Sequence, residues 1–123
     1  MAHVLIVDDH AAFRQPLAFL FNCEPDLTVV AQTGSADEGR RLLEGVDIAV
    51  VDLDLPDGTG VDLVREMRTE RPHTCVLALT NSGSQDDCAK AMDAGTVKIL
   101  GKSVGLDEIM RSMARLCRGV SGG

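Results

Sequence analysis

Five short, unbroken apolar runs rich in Val, Ile and Leu punctuate the chain: His3 to Val7, Leu27 to Ala31, Asp47 to Val51, Cys75 to Leu79 and Val97 to Leu100. Each is short for a helix, and none alternates apolar with polar residues as a strand with one wet face does. Such runs read as strands covered on both faces, the mark of a parallel sheet with helices above and below. Parallel neighbours need right-handed crossovers, so the repeats should wind into an open sheet whose ligand crevice lies at the carboxyl ends of the strands. The expected fold class is therefore α/β, a three-layer doubly wound sheet. At 123 residues and 45% apolar content, one domain accounts for the chain and buries roughly two-thirds of its unfolded surface.

Helical patterns fill the intervals. Ala11 to Asn22 places Phe13, Leu17, Leu20 and Phe21 at helical spacing, with Pro16 near enough to the start to be tolerated. Ser35 and Glu38 form a capping box opening a helix that carries Leu42 and Leu43 and stops at Gly45. Val61 to Glu70 ends before Pro72, and Ser84 caps a short helix ending at Gly95. The clearest is Leu106 to Arg118, where Leu106, Ile109, Met110, Met113, Leu116 and Cys117 form one apolar stripe. Residues 1–118 thus make the domain, and the Gly- and Ser-rich 119–123 reads as a linker stub or frayed tail.

Composition excludes several function classes. A net charge of −7 leaves no clustered basic face for a nucleic-acid backbone, so no direct nucleic-acid contact is expected. The absence of Trp and Tyr removes the stacking platform of single-strand binders. The apolar runs fall far short of the ~20 residues a membrane span requires, and the start lacks a signal-peptide pattern, so the chain reads as cytoplasmic. Cys23, Cys75, Cys88 and Cys117 are scattered, without a C-x-x-C pair or a histidine at ligand spacing, and read as buried free thiols rather than a zinc or redox site.

The residues that follow the strands carry the chemistry. Asp8 and Asp9 follow the first run, Asp52 the third, Thr80 the fourth and Lys102 the fifth, all at carboxyl ends. Three carboxylates at one rim repel and call for raised proton affinity, a cation, or both. An oxygen-rich acidic pocket suits a hard ion such as Mg²⁺, and Lys102 adds further positive charge. That set fits phosphoryl transfer, where most of the rate comes from positioning and from neutralising the transferred oxygens. Asp52 is the natural nucleophile, since a carboxylate can form an acyl phosphate. Singly, each residue has a plainer reading: Asp9 as a helix cap, Asp54 and Asp57 as turn caps beside Pro56, Gly58 and Gly60, Thr80 as a strand-end hydroxyl, Lys102 as a surface lysine. Their convergence on one rim is the stronger signal.

VLIVDDH, Arg14, PDLTVVAQTGS, DLDLPDGTGVDLV and LALT followed by GK together resemble the receiver domain of bacterial two-component response regulators, most of all its NarL/FixJ (LuxR-type) subgroup. The resemblance implies strand order 2-1-3-4-5, the flavodoxin-like receiver fold, which the runs alone do not. It implies that Asp52 accepts a phosphoryl group from a histidine kinase. It makes Asp9 and Asp52 direct Mg²⁺ ligands, the Asp54 carbonyl a third and Asp8 a ligand through water, while Thr80 and Lys102 hold the phosphoryl oxygens. Such domains are not enzymes beyond promoting their own phosphorylation and dephosphorylation. They respond by reshaping the face of the fourth helix, fifth strand and fifth helix to form a homodimer or act on an output domain; chains of this subgroup usually continue into a C-terminal helix-turn-helix domain that binds DNA and regulates transcription, and a free-standing receiver is the alternative. The chain departs from the pattern at four places: Ile99 replaces the usual aromatic, Asn81 a small Ala, Ser103 the Pro that follows the lysine, where a cis bond is often found, and the stretch Gly95 to Lys98 lacks the second Gly common in the subgroup.

Two other readings stay open. DLDLPDGT is similar to the D-x-D signature of haloacid dehalogenase-like phosphatases, although there the motif lies at the first strand. Ile99 and Asn81 are also compatible with a receiver-like interaction module that dimerises without phosphate.

Overall fold

A computed structural model describes residues 1–56, 60–81 and 85–121. Five strands, β1 (Ala2–Val7), β2 (Leu27–Thr33), β3 (Ile48–Asp52), β4 (Cys75–Thr80) and β5 (Lys98–Gly101), alternate with helices α1 (Ala11–Cys23), α2 (Ala36–Arg41), α3 (Gly60–Glu70), α4 (Gln85–Ala94) and α5 (Leu106–Ser121). All pairings are parallel and the order is β2-β1-β3-β4-β5, as expected. β1 slips against β2 between Val4 and Leu5, an irregularity with no counterpart in the apolar pattern.

Successive side chains of a strand point to opposite faces, and in the three central strands both sets are buried. Leu5, Val7, Ala49, Val51, Val76 and Ala78 pack with Leu63, Val64 and Met67 of α3 and with Ala91 of α4. Val4, Ile6, Ile48, Val50, Leu77 and Leu79 pack with Leu17 and Phe21 of α1 and with Ile109 and Met113 of α5. Each fully buried side chain of this size contributes about 1.5–3 kcal/mol of transfer free energy. The double burial explains why the runs are unbroken.

Several local expectations need correction. Ser35 caps α2 through its Oγ, which accepts the Glu38 N–H at 3.2 Å, but the helix stops at Arg41. Leu42 and Leu43 lie beyond it: the Leu42 N–H turns back to Gly39 and the Val46 N–H to Leu43, both at 3.2 Å, closing the chain in tighter turns that sink Leu43 into the core. Gly45 does take the left-handed conformation, with φ 76°. α1 continues past Pro16, and α5 runs to Ser121, into the stretch expected as a tail from Gly119. Of the four free cysteines only Cys117 is buried; Cys23 is exposed, and Cys75 and Cys88 are half-buried. Among the described residues no peptide bond is cis, so Lys102–Ser103 is trans and opens a single 3₁₀ turn, Lys102–Val104. The expected Ser84 cap and the Asp57 and Gly58 turn lie outside the described residues.

Candidate functional site

The carboxyl ends of β1, β3, β4 and β5 deliver Asp8, Asp52, Thr80 and Lys102 to one rim, and the β1–α1 loop adds Asp9 and His10. Asp8 is anchored on three sides. Its N–H donates to the Thr33 carbonyl at 2.9 Å, its carbonyl accepts Arg14 Nη1 at 2.6 Å, and its Oδ1 accepts the His10 N–H at 2.8 Å. Arg14 Nε also donates to Gln32 Oε1 at 3.0 Å, tying the loop to β2. Asp9 does not cap α1, whose N-cap residue is His10.

Asp52 is fully buried. Its Oδ1 accepts the Asp54 N–H at 2.9 Å, and its Oδ2 accepts Lys102 Nζ at 3.2 Å. The lysine, itself 10% exposed, stands 2.8 Å from Asp8 Oδ2 and 4.8 Å from the centre of the Phe13 ring, a cation–π distance. Burial raises the proton affinity of Asp52 above the ordinary carboxylate value. The nearby Asp8 charge adds to this, while the Asp54 N–H and Lys102 oppose it.

Ligand atoms of Asp8, Asp9, His10 and Asp52 all lie within 4.8 Å of one another. Asp8 Oδ2 is buried and its charge is met by the Lys102 ammonium. Hard carboxylate oxygens gathered this closely fit a divalent cation such as Mg²⁺. Asp8, Asp9 and Asp52 are thus gathered as expected. Asp54 turns its side chain elsewhere: its Oδ2 accepts the Asn81 N–H at 2.9 Å and the Thr80 hydroxyl at 3.4 Å. That leash between the β3 and β4 loops was missed, as was His10, whose Nδ1 lies 3.5 Å from Asp8 Oδ1 and Asp9 Oδ1 and 3.9 Å from Asp52 Oδ2. Ile99, at the expected aromatic position, is half-buried against the α3–α4 side of the core.

A parallel sheet in this order, with its acids and one lysine collected at the carboxyl rim, defines the class of flavodoxin-like α/β domains. Within that class the chain belongs to the response regulator receiver domain family, whose model matches residues 4–114. It is 33% identical over 115 residues to the DNA-binding transcriptional activator DevR/DosR of Mycobacterium tuberculosis, covering 92% of this chain and 53% of that protein. It is 31% identical over 121 residues to the transcriptional regulatory protein UhpA of Salmonella typhimurium, covering 97% and 60%. A two-component response regulator of the LuxR family from Aurantimonas superposes with a TM-score of 0.89 at 29% identity, covering 97% of this chain and 86% of that one. A CheY-like receiver from Methanospirillum hungatei reaches 0.90 at 23% identity, covering 100% and 99%, a likeness of fold alone. The chain spans 53% of the first of these curated relatives. The phosphatase-like reading of DLDLPDGT gives way to this membership: the motif follows the third strand, inside the matched receiver region. Among the described residues no helix is long and apolar enough to cross a membrane.

Proposed function

We propose that the chain is a phosphorylation switch in which Asp52 takes a phosphoryl group from a histidine kinase. The observation that carries this is the buried Asp52 carboxylate, held 3.2 Å from Lys102 and grouped with the two acids of the β1–α1 loop. A carboxylate oxygen of Asp52 forms the new bond to phosphorus as the donor's P–N bond breaks, and the leaving imidazole nitrogen keeps the electron pair. Asp9 and Asp52, with the Asp54 carbonyl and with Asp8 through water, would hold a magnesium ion, which when bound supplies charge neutralisation for the transferred group. Lys102 pairs with one phosphoryl oxygen and the Thr80 hydroxyl donates to another, giving up its 3.4 Å contact with Asp54.

Beyond promoting its own phosphorylation and dephosphorylation the domain performs no turnover. Its output is a reshaped face of α4, β5 and α5, used for homodimerisation or to act on a DNA-binding helix-turn-helix domain, as the transcriptional regulators among its relatives suggest. Residues 1–118 suffice for the switch, in the cytoplasm. With Ile99 in place of a ring, the Thr80–Asp54–Asn81 contacts are the element best placed to relay the charge added at Asp52.

Incubation of the folded chain with a small phosphodonor, followed by intact mass, tests this. One added phosphoryl group with Mg²⁺ and none with EDTA is expected. A folded sample that gains none would support the phosphate-independent interaction module instead.

A further inference from the structure

The Lys102 ammonium is surrounded on its polar side. Asp8 Oδ2 stands 2.8 Å from Nζ and Asp52 Oδ2 3.2 Å from it, and His10 Nδ1 accepts at 3.2 Å. An ammonium has three donors and no acceptor, so a phosphoryl oxygen can be met only as one of these partners is given up. The Phe13 ring, its centre 4.8 Å from Nζ, is a partner of another kind. It attracts the cation through the negative potential of its face and takes up no donor, so this contact can persist while the polar partners exchange. The ring is also firmly placed. Phe13 lies in the first turn of α1, where its N–H donates to the His10 carbonyl at 3.0 Å, and it is half-buried against the core layer of α1 and α5. The next residue, Arg14, ties the same turn to the Asp8 carbonyl at 2.6 Å. With only 10% of its side chain exposed, Lys102 is largely kept from water, where its attraction for an anion would be weaker.

We propose that Phe13 is a positioning residue for phosphoryl transfer: its ring face holds the Lys102 ammonium at the rim while the lysine turns from Asp52 to a phosphoryl oxygen. The contribution is electrostatic, so an aliphatic side chain of similar bulk does not replace it. With phosphoramidate as donor, an Asp52 oxygen bonds to phosphorus, the donor's P–N bond breaks, and ammonia leaves with the electron pair of that bond. This rests on Asp52 being the acceptor.

The test is the phosphorylation rate of the full chain with phosphoramidate and Mg²⁺, followed by intact mass, for the parent, for Phe13→Leu, and with difluoro- or pentafluorophenylalanine at position 13. Fluorine keeps the ring nearly the same in shape and apolar character but withdraws the negative potential of its face. The expected result is a rate that falls stepwise with fluorination, by about threefold or more for the pentafluoro ring and to a similar extent for Leu, the worth of a cation–ring contact. Thermal unfolding in EDTA reads the same contact without the chemistry. Pentafluorophenylalanine should lower the melting temperature of the parent by about 3–5 °C and leave that of a Lys102→Met chain unchanged within about 1 °C. A rate indifferent to the side chain at position 13, a loss with Leu that fluorination does not reproduce, or a fluorination effect on melting that persists in Lys102→Met would overturn the assignment while leaving Asp52 as acceptor. A folded, unaltered chain that gains no phosphoryl group would overturn both.

Discussion

Lys102→Met is the most informative single perturbation. The substitution keeps much of the apolar stem and removes the ammonium that stands 2.8 Å from Asp8 and 3.2 Å from Asp52. At an effective dielectric constant of about 20, those contacts correspond to gross attractions of about 6 and about 5 kcal/mol. Desolvation of three buried charges offsets most of this, but deleting one partner leaves the others uncompensated at a cost of about 3–5 kcal/mol. For a domain of this size that lowers the melting temperature by about 10–20 °C. The measurement is thermal unfolding by circular dichroism in EDTA, since the chain has no Trp or Tyr. Added Mg²⁺ at a hundred times its Kd stabilises by about 2.7 kcal/mol, and should bind the variant more tightly because ion and lysine compete for the same oxygens. The loss should shrink as the pH falls through the raised range in which Asp52 takes up a proton. A variant that melts with the parent in EDTA, or gains no more from Mg²⁺, would refute the electrostatic picture of the rim.

Asp52→Asn should behave oppositely. The raised proton affinity of Asp52 means that its stabilising contribution is fully present below the ordinary value of 3.8 and is lost as pH rises through the higher folded-state value. At neutral pH without metal the variant should melt above the parent, with the gap closing in acid; a constant gap across pH would contradict this. Gly60→Ala places a Cβ against the Asp52 carbonyl and the Leu53 Cα, both backbone, and should cost about 1–3 kcal/mol and impair phosphorylation, checked by denaturant unfolding and intact mass. Arg14→Met removes the bonds to the Asp8 carbonyl and Gln32 and should cost about 1.5–3 kcal/mol while weakening Mg²⁺ binding, measured by calorimetry. Leu77→Ala, in a fully buried position of β4, should cost about 2–5 kcal/mol in denaturant unfolding and leave the rim's metal affinity intact.

The strands were legible because burial on both faces demands unbroken Val, Ile and Leu, as in His3 to Val7, and the amphipathic stripe from Leu106 to Cys117 marked α5 as plainly. The end of α2 was not legible: Leu42 and Leu43 continue a helical pattern, and only the tertiary pull of the core on Leu43 turns the chain early. The slip at Val4 and Leu5 depends on pairing with β2, which apolar patterning does not encode. At the rim, Asp8, Asp9, Asp52 and Lys102 could be placed because residues after parallel strands share one edge. His10 escaped notice because a single exposed histidine has no periodicity to mark it; its place directly after the acid pair was the available signal. The bonds from Asp54 to Thr80 and Asn81 join loops of two different strands, a contact that depends on the sheet order.

In the proposed switch one carboxylate, Asp52, accepts the phosphoryl group. The most direct test is to phosphorylate the chain with Mg²⁺ and a small donor, trap the acyl phosphate by borohydride reduction, and locate the resulting homoserine by peptide mass spectrometry. Homoserine is expected at position 52 alone. Its appearance at Asp8, Asp9 or Asp54 instead, with Asp52 unmodified, would contradict it.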